Sequence, residues 1–229
     1  MYVKAEIRVS PNKTENSMIH SIKNTSTKIV FIYSALIAFT LLTGPASAAG
    51  DAEEGAKRSV ACGACHGADG NSVNPQWPSI AGQNATYLAN TLHAFQSGTR
   101  TDVLMTGQAQ SLSEQDIENL AAYFAAQKAT QRTANPELAE TGERLYRGGN
   151  KEGKLTACIG CHGPAGRGNA PAGYPSLSGQ HAAYTAKQLG DYQSESRKSD
   201  GDAMIMRNVA ARLTQNEINA LAAYIQGLR

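Results

Sequence analysis

Apolar positions along this chain recur at helical spacing, and they do so twice. Tyr87, Leu88, Thr91, Leu92 and Phe95 fall on one helical face, and Tyr184, Gln188, Leu189 and Tyr192 repeat that face more weakly. Ile117, Leu120 and Tyr123 form another stripe, matched by Ile218, Leu221 and Tyr224. Each of these last stripes opens on a cap: Ser113 with Asp116 three residues on, and Thr214 with Glu217. Opening helices are predicted over Asp51 to Ala61 and Pro136 to Arg147, where Pro136 suits a first helical position. No run alternates with the period of two that a half-buried strand needs. The fold class is therefore all-α.

The repetition extends to sequence. Trp77-Pro78-Ser79-Ile80-Ala81-Gly82-Gln83 returns about 97 residues later as Tyr174-Pro175-Ser176-Leu177-Ser178-Gly179-Gln180. Extended without a gap to Arg100 and Arg197, the two segments share 11 of 24 positions. Two copies indicate a duplicated domain, since a solenoid needs three or more repeats of shorter period. The polar stretch from Lys128 to Asn135 reads as the linker. This gives domains at 49–132 and 133–229.

Residues 1–48 read differently. A polar stretch with five Lys or Arg precedes an apolar run from Ile29 to Leu42, followed by Gly44-Pro45-Ala46-Ser47-Ala48. That is the order of a secretory signal peptide, with cleavage expected after Ala48. The run is shorter than the roughly 20 residues a spanning helix needs, although an uncleaved anchor is the competing reading. Without the leader, 16 basic side chains face 17 acidic ones. No basic stripe survives, so nucleic-acid binding has no support. The halves divide this charge as about −3 for 49–135 and about +2 for 136–229, an asymmetry that can steer docking or arise from ordinary scatter.

Aromatic residues make up only 6% of the chain, and each repeat is too small to build a large core unaided. The four cysteines offer a staple. They form Cys62-Gly63-Ala64-Cys65-His66 and Cys158-Ile159-Gly160-Cys161-His162, one C-x-x-C-H in each repeat. Residues three apart on a helical turn share a face, so both thiols can reach the vinyl groups along one edge of a haem while the histidine reaches its iron. Half of a zinc site, a thioredoxin-like dithiol and a disulfide are the competing readings. Zinc lacks further ligands in each repeat, the dithiol lacks a βαβ context, and a disulfide over so short a span staples little. The other histidines of the exported part, His93 and His181, are not equivalent in the repeat.

A sixth iron ligand follows from the repeat. Met105 lies seven residues before Leu112, and Met206 seven before Leu213, with Met204 as the rival in the second copy. The second copy also carries about four extra residues within Lys198 to Ala203. Ligation by His66 and Met105, and by His162 and Met206, closes both axial positions and raises the reduction potential. The carbonyls of Pro78 and Pro175, 12 and 13 residues after the histidines, are candidates to accept the other ring N–H. Arg100 and Arg197 either pair with haem propionates or lie solvated on the surface. Tyr123 and Tyr224 read as packing residues rather than electron relays.

With these residues in place, the order CxxCH, Pro-Ser-Ile/Leu-x-Gly, helix, Met and closing Leu-Ala-Ala-Tyr helix resembles class I cytochrome c, twice over. The tandem form resembles the dihaem cytochrome c4 family. The resemblance implies two covalently bound haem c groups and a periplasmic electron carrier, soluble or loosely membrane-attached. It would take electrons from a quinol–cytochrome c oxidoreductase and deliver them to a terminal oxidase. A dihaem peroxidase, or the cytochrome subunit of a dehydrogenase, is the alternative. The first copy departs from the usual paired methionines, having Leu104-Met105.

Overall fold

The computed structural model describes residues 50–229. The proposed signal peptide, with its apolar run, lies outside them. Within them the chain is helical, and the only strand-like pairings are two isolated bridges, Asn150 with Leu155 and Asn169 with Tyr174. No helix among the described residues is long and apolar enough to cross a membrane.

The first repeat comprises α1 (Ala52–Arg58), α2 (Val60–His66), α3 (Ala85–Ser97), α4 (Val103–Gln110) and α5 (Glu114–Ala126). The second comprises α6 (Pro136–Gly148), α7 (Ile159–His162), α8 (Ala182–Gln193), α9 (Ile205–Ala210) and α10 (Gln215–Gly227). Both closing helices carry the expected capping box, Ser113 with Asp116 and Thr214 with Glu217. Pro136 occupies the first turn of α6, behind an Asn135 cap.

The opening helix of the first repeat differs from the single segment expected. It breaks at Ser59, whose buried hydroxyl donates to the Ala56 carbonyl at 2.8 Å, and then resumes through the CxxCH to His66. A serine hydroxyl that satisfies a carbonyl three residues back competes with the helical ladder at that turn.

In each half the first and last helices cross at a glycine. A Cβ on Gly55 would lie 2.1 Å from the Asn119 carbonyl oxygen, and one on Gly142 would lie 2.1 Å from that of Ala220. Only backbone can approach so closely. Each half then gathers its own core: Leu88, Ile117, Leu120 and Phe124 in the first, Leu145, Tyr146, Ile218, Leu221 and Ile225 in the second. Tyr123 and Tyr224 pack as expected. The Tyr123 ring lies edge-on to Phe124 with centroids 4.9 Å apart, and the Tyr224 ring lies 5.5 Å from Tyr146.

Candidate haem sites

His66 ends α2 and His162 ends α7, and both side chains are buried. His66 Nδ1 lies 2.8 Å from the Pro78 carbonyl oxygen, and His162 Nδ1 lies 3.0 Å from that of Pro175. A carbonyl can only accept, so each Nδ1 carries the proton and each Nε2 keeps its lone pair. Burial pushes both imidazoles below their ordinary pKa, with the proline carbonyls partly opposing, which keeps the rings neutral. Neutral rings with a fixed tautomer and an unprotonated Nε2 are the form a metal requires.

The proline carbonyls are themselves held. The Gly70 carbonyl accepts from Ile80 and Ala81 N–H at 2.7 and 3.0 Å, and the Gly166 carbonyl accepts from Leu177 and Ser178 at 2.7 and 3.2 Å. Cys62 packs against the first core and Cys158 against the second. Burial pushes the Cys62 thiol up, and raises that of Cys158 to about 11. None of the four cysteines forms a disulfide, and no cluster of three or more His, Cys, Asp or Glu converges among the described residues.

Met105 lies half-buried in the first turn of α4, where Asp102 caps the Leu104 and Met105 N–H groups at 3.0 and 3.1 Å. Met206 lies half-buried in the first turn of α9, while Met204 takes the cap position with φ of 49° in the left-handed region. Paired glutamines fix the ends of these two helices alike. Gln96 Nε2 donates to the Ala109 and Leu112 carbonyls, both at 2.9 Å. Gln193 Nε2 donates to those of Ala210 and Leu213 at 3.1 and 2.6 Å. Met105 and Met206 thus stand at equivalent places in three dimensions as well as in sequence. The four extra residues of the second copy bring Asp200 to Arg207, next to Met206, in an ion pair of 2.8 Å.

The residues fit a haem in each half. Val60 precedes Cys62 by two positions, Leu104 precedes Met105, and Ile205 precedes Met206, yet all three apolar side chains are exposed in the polypeptide. The fit rests on the donor set: in each half a buried, neutral imidazole with a free Nε2 ends the helix that carries cysteines, and a thioether stands in the first turn of a later helix.

Arg100 and Arg197 depart from the solvated-surface alternative, because both are buried across the boundary between halves. Arg100 donates to the Tyr184 hydroxyl at 2.7 Å and Arg197 to the Tyr87 hydroxyl at 3.0 Å. The Gln188 carbonyl oxygen accepts from both guanidiniums, at 2.8 and 2.6 Å. The linker contributes Arg132, which donates to the carbonyls of Gly179 and Ser72 at 2.6 and 2.9 Å. Every ion pair among the described residues stays within one half, so the charge asymmetry supplies no ion pair between the halves. Tyr87, Tyr184, Gln83 and Gln180 stand in the repeat as helix-face and motif identities, and the structure gives them a role across the boundary that the sequence pattern does not show.

The cytochrome c family matches residues 52–128 and 139–229. Cytochrome c4 of Azotobacter vinelandii is 50% identical over 196 residues, covering 82% of this chain and 93% of that protein. This chain belongs to the cytochrome c4 family. The crystal structure of reduced recombinant cytochrome c4 from Pseudomonas stutzeri superposes with a TM-score of 0.77 at 50% identity, covering 79% of this chain and all of that one. A protein named thiosulfate dehydrogenase electron acceptor, from Stutzerimonas stutzeri, is 36% identical over 169 residues, covering 72% of this chain and 77% of its own length. The chain is accordingly two tandem cytochrome c domains and a dihaem electron-transfer cytochrome, and its cysteine pairs fit two haem-binding CxxCH motifs. As a redox carrier it has redox partners.

Proposed function

We propose that this chain is a periplasmic carrier in respiration, moving single electrons from a quinol–cytochrome c oxidoreductase to a terminal oxidase without substrate chemistry of its own. In this reading the leader is removed after Ala48, residues 49–132 form the first haem domain and residues 133–229 the second. Cys62 and Cys65 tether one haem, and Cys158 and Cys161 the other. His66 with Met105, and His162 with Met206, would hold the iron of each haem. The haem supplies an iron that cycles between ferric and ferrous states. The chain holds each imidazole as the Nδ1–H tautomer, and a methionine ligand beside it would leave a bound iron closed to peroxide or a gas.

The observation that carries this reading is the equivalence of the two halves. Each has a buried histidine locked to a proline carbonyl, and a methionine in the first turn of a short helix whose C-terminal carbonyl, Ala109 or Ala210, a glutamine binds. A dihaem peroxidase would need one half to differ. The test is the purified dihaem protein mixed with each redox partner in a stopped-flow instrument. Ferric spectra with the far-red methionine–iron band, rapid reduction by the quinol-oxidising complex and rapid reoxidation by the oxidase are expected. Fast binding of carbon monoxide or peroxide to a native haem overturns it.

A second reading is supported by the relative named as an electron acceptor of thiosulfate dehydrogenase. Here the electron donor is a sulfur-compound dehydrogenase. Reduction by such an enzyme with thiosulfate, faster than by the quinol-oxidising complex, favours it.

A further inference from the structure

The carbonyl that holds each histidine shares a peptide group with an N–H that faces the other domain. Pro78 C=O accepts from His66, and the Ser79 N–H of the same peptide donates to Gln180 Oε1 at 3.0 Å. Gln180 Nε2 in turn donates to the Ser79 carbonyl at 2.8 Å. The arrangement recurs with the domains exchanged. Pro175 C=O accepts from His162, the Ser176 N–H donates to Gln83 Oε1 at 2.7 Å, and Gln83 Nε2 donates to the Ser176 carbonyl at 2.9 Å. Each Oε1 also accepts the N–H of its following residue, Asn84 at 2.9 Å and His181 at 3.0 Å. Two donors at the oxygen and a carbonyl at the nitrogen leave one orientation for each carboxamide.

We propose that Gln180 and Gln83 are crossed positioning residues: each tunes, through one peptide group, the axial histidine of the other domain's haem. This rests on the assignment of His66 and His162 as iron ligands. The peptide is conjugated, so an acceptor at the Ser79 N–H places more negative charge on the Pro78 oxygen. That oxygen then draws harder on His66 Nδ1–H, because hydrogen bonds in a chain polarise one another. The ring becomes a more basic ligand, which favours ferric iron and lowers the potential. Gln83 acts on His162 by the same route.

The experiment uses the full protein with both haems. Gln180→Leu removes the acceptor, and is expected to shift the first haem's reduction equilibrium several-fold towards ferrous while the second stays in place (tenfold being about 59 mV for a one-electron couple). Gln83→Leu is expected to move the second haem instead. Gln180→Glu keeps an acceptor and adds negative charge, so the first haem should move towards ferric. A merely loosened interface would move it the same way as leucine. Haem-resolved redox titration by NMR reads the potentials, and the Nδ1–H resonances of His66 and His162 read the bond itself. Equal shifts at both haems, a shift only in the substituted domain, or an unmoved His66 Nδ1–H resonance overturns the proposal while leaving ligation intact. Unsubstituted protein without a haem-shifted His66 Nδ1–H overturns the ligand assignment and the proposal together.

Discussion

Arg197 Nη2 donates to the Tyr87 hydroxyl across the domain boundary at 3.0 Å. The guanidinium also lies over the Tyr192 ring of its own domain, 4.5 Å from the centroid, just as Arg100 lies 4.7 Å over Phe95. Each arginine thus stacks on a ring of its own domain and donates to a tyrosine of the other. Burial raises the Tyr87 hydroxyl, but the Arg197 and Arg100 charges outweigh burial and hold it below the phenol's ordinary value. Arg197 is raised in return: burial works against its charge, and Tyr87 and Tyr192 outweigh that.

A double-mutant cycle with Tyr87→Phe and Arg197→Met should therefore give a coupling of about 1–3 kcal/mol in denaturant unfolding of the dihaem protein. The single Tyr87→Phe change leaves a buried guanidinium short of an acceptor and should lose cooperativity between the domains. A coupling near zero would mean that solvent replaces this bond freely.

The glycine crossings predict damage confined to one half. Gly55→Ala drives a methyl into the Asn119 carbonyl and Gly142→Ala into that of Ala220. Backbone cannot yield as a flexible side chain does, so each should destabilise its own domain by about 1–3 kcal/mol or more. Haem-resolved unfolding should show the first domain failing early in one variant and the second in the other.

For the sixth ligand, Met206→Leu should abolish the second haem's far-red band and admit carbon monoxide, while Met204→Leu should preserve the band. Met105→Leu should do to the first haem what Met206→Leu does to the second. Asp200→Asn breaks a largely buried ion pair beside Met206, with side-chain exposures of 11% for Arg207 and 6% for Asp200. Removing one partner of such a pair costs about 3–5 kcal/mol, so the second haem's methionine band should weaken without any change at Met206 itself. An unchanged band would separate this loop from ligation.

What the sequence revealed was set by local geometry. Ser113-x-x-Asp116 and Thr214-x-x-Glu217 predict their helix starts because the partners lie within one turn. The proline carbonyls were legible because 12 or 13 residues of chain return to the histidine in both copies. The break at Ser59 was not, since serine is compatible with a helix and only burial of its hydroxyl shows where it bonds. The cross-domain destinations of Arg100 and Arg197 were also hidden, because those partners are 84 to 110 residues away. The repeat shows Gln83, Tyr87 and their counterparts as identities, but not that each pairs with the opposite copy.

The last prediction concerns acid. His181 Nε2 lies 2.8 Å from the Ser72 carbonyl and 3.1 Å from Arg132 Nη2, where linker and both domains meet. Burial lowers its pKa below the ordinary 6.5; the Ser72 carbonyl opposes this and the Arg132 charge adds to it. The unfolded chain therefore binds a proton more readily than the folded one in the window below pH 6.5. Stability that is full above that value must fall as the pH drops through the window. Asp116 and Glu217 are held below their ordinary values of 3.8 and 4.5, chiefly by the N–H groups of Ser113 and Thr214. Their contribution is present above those values and is lost only at lower pH, so the two effects separate. Denaturant midpoints of the dihaem protein should decline from about pH 6.5 downward, and His181→Gln should flatten that decline while leaving the steeper loss near pH 4. An identical slope in the variant would move the acid sensitivity away from the linker junction.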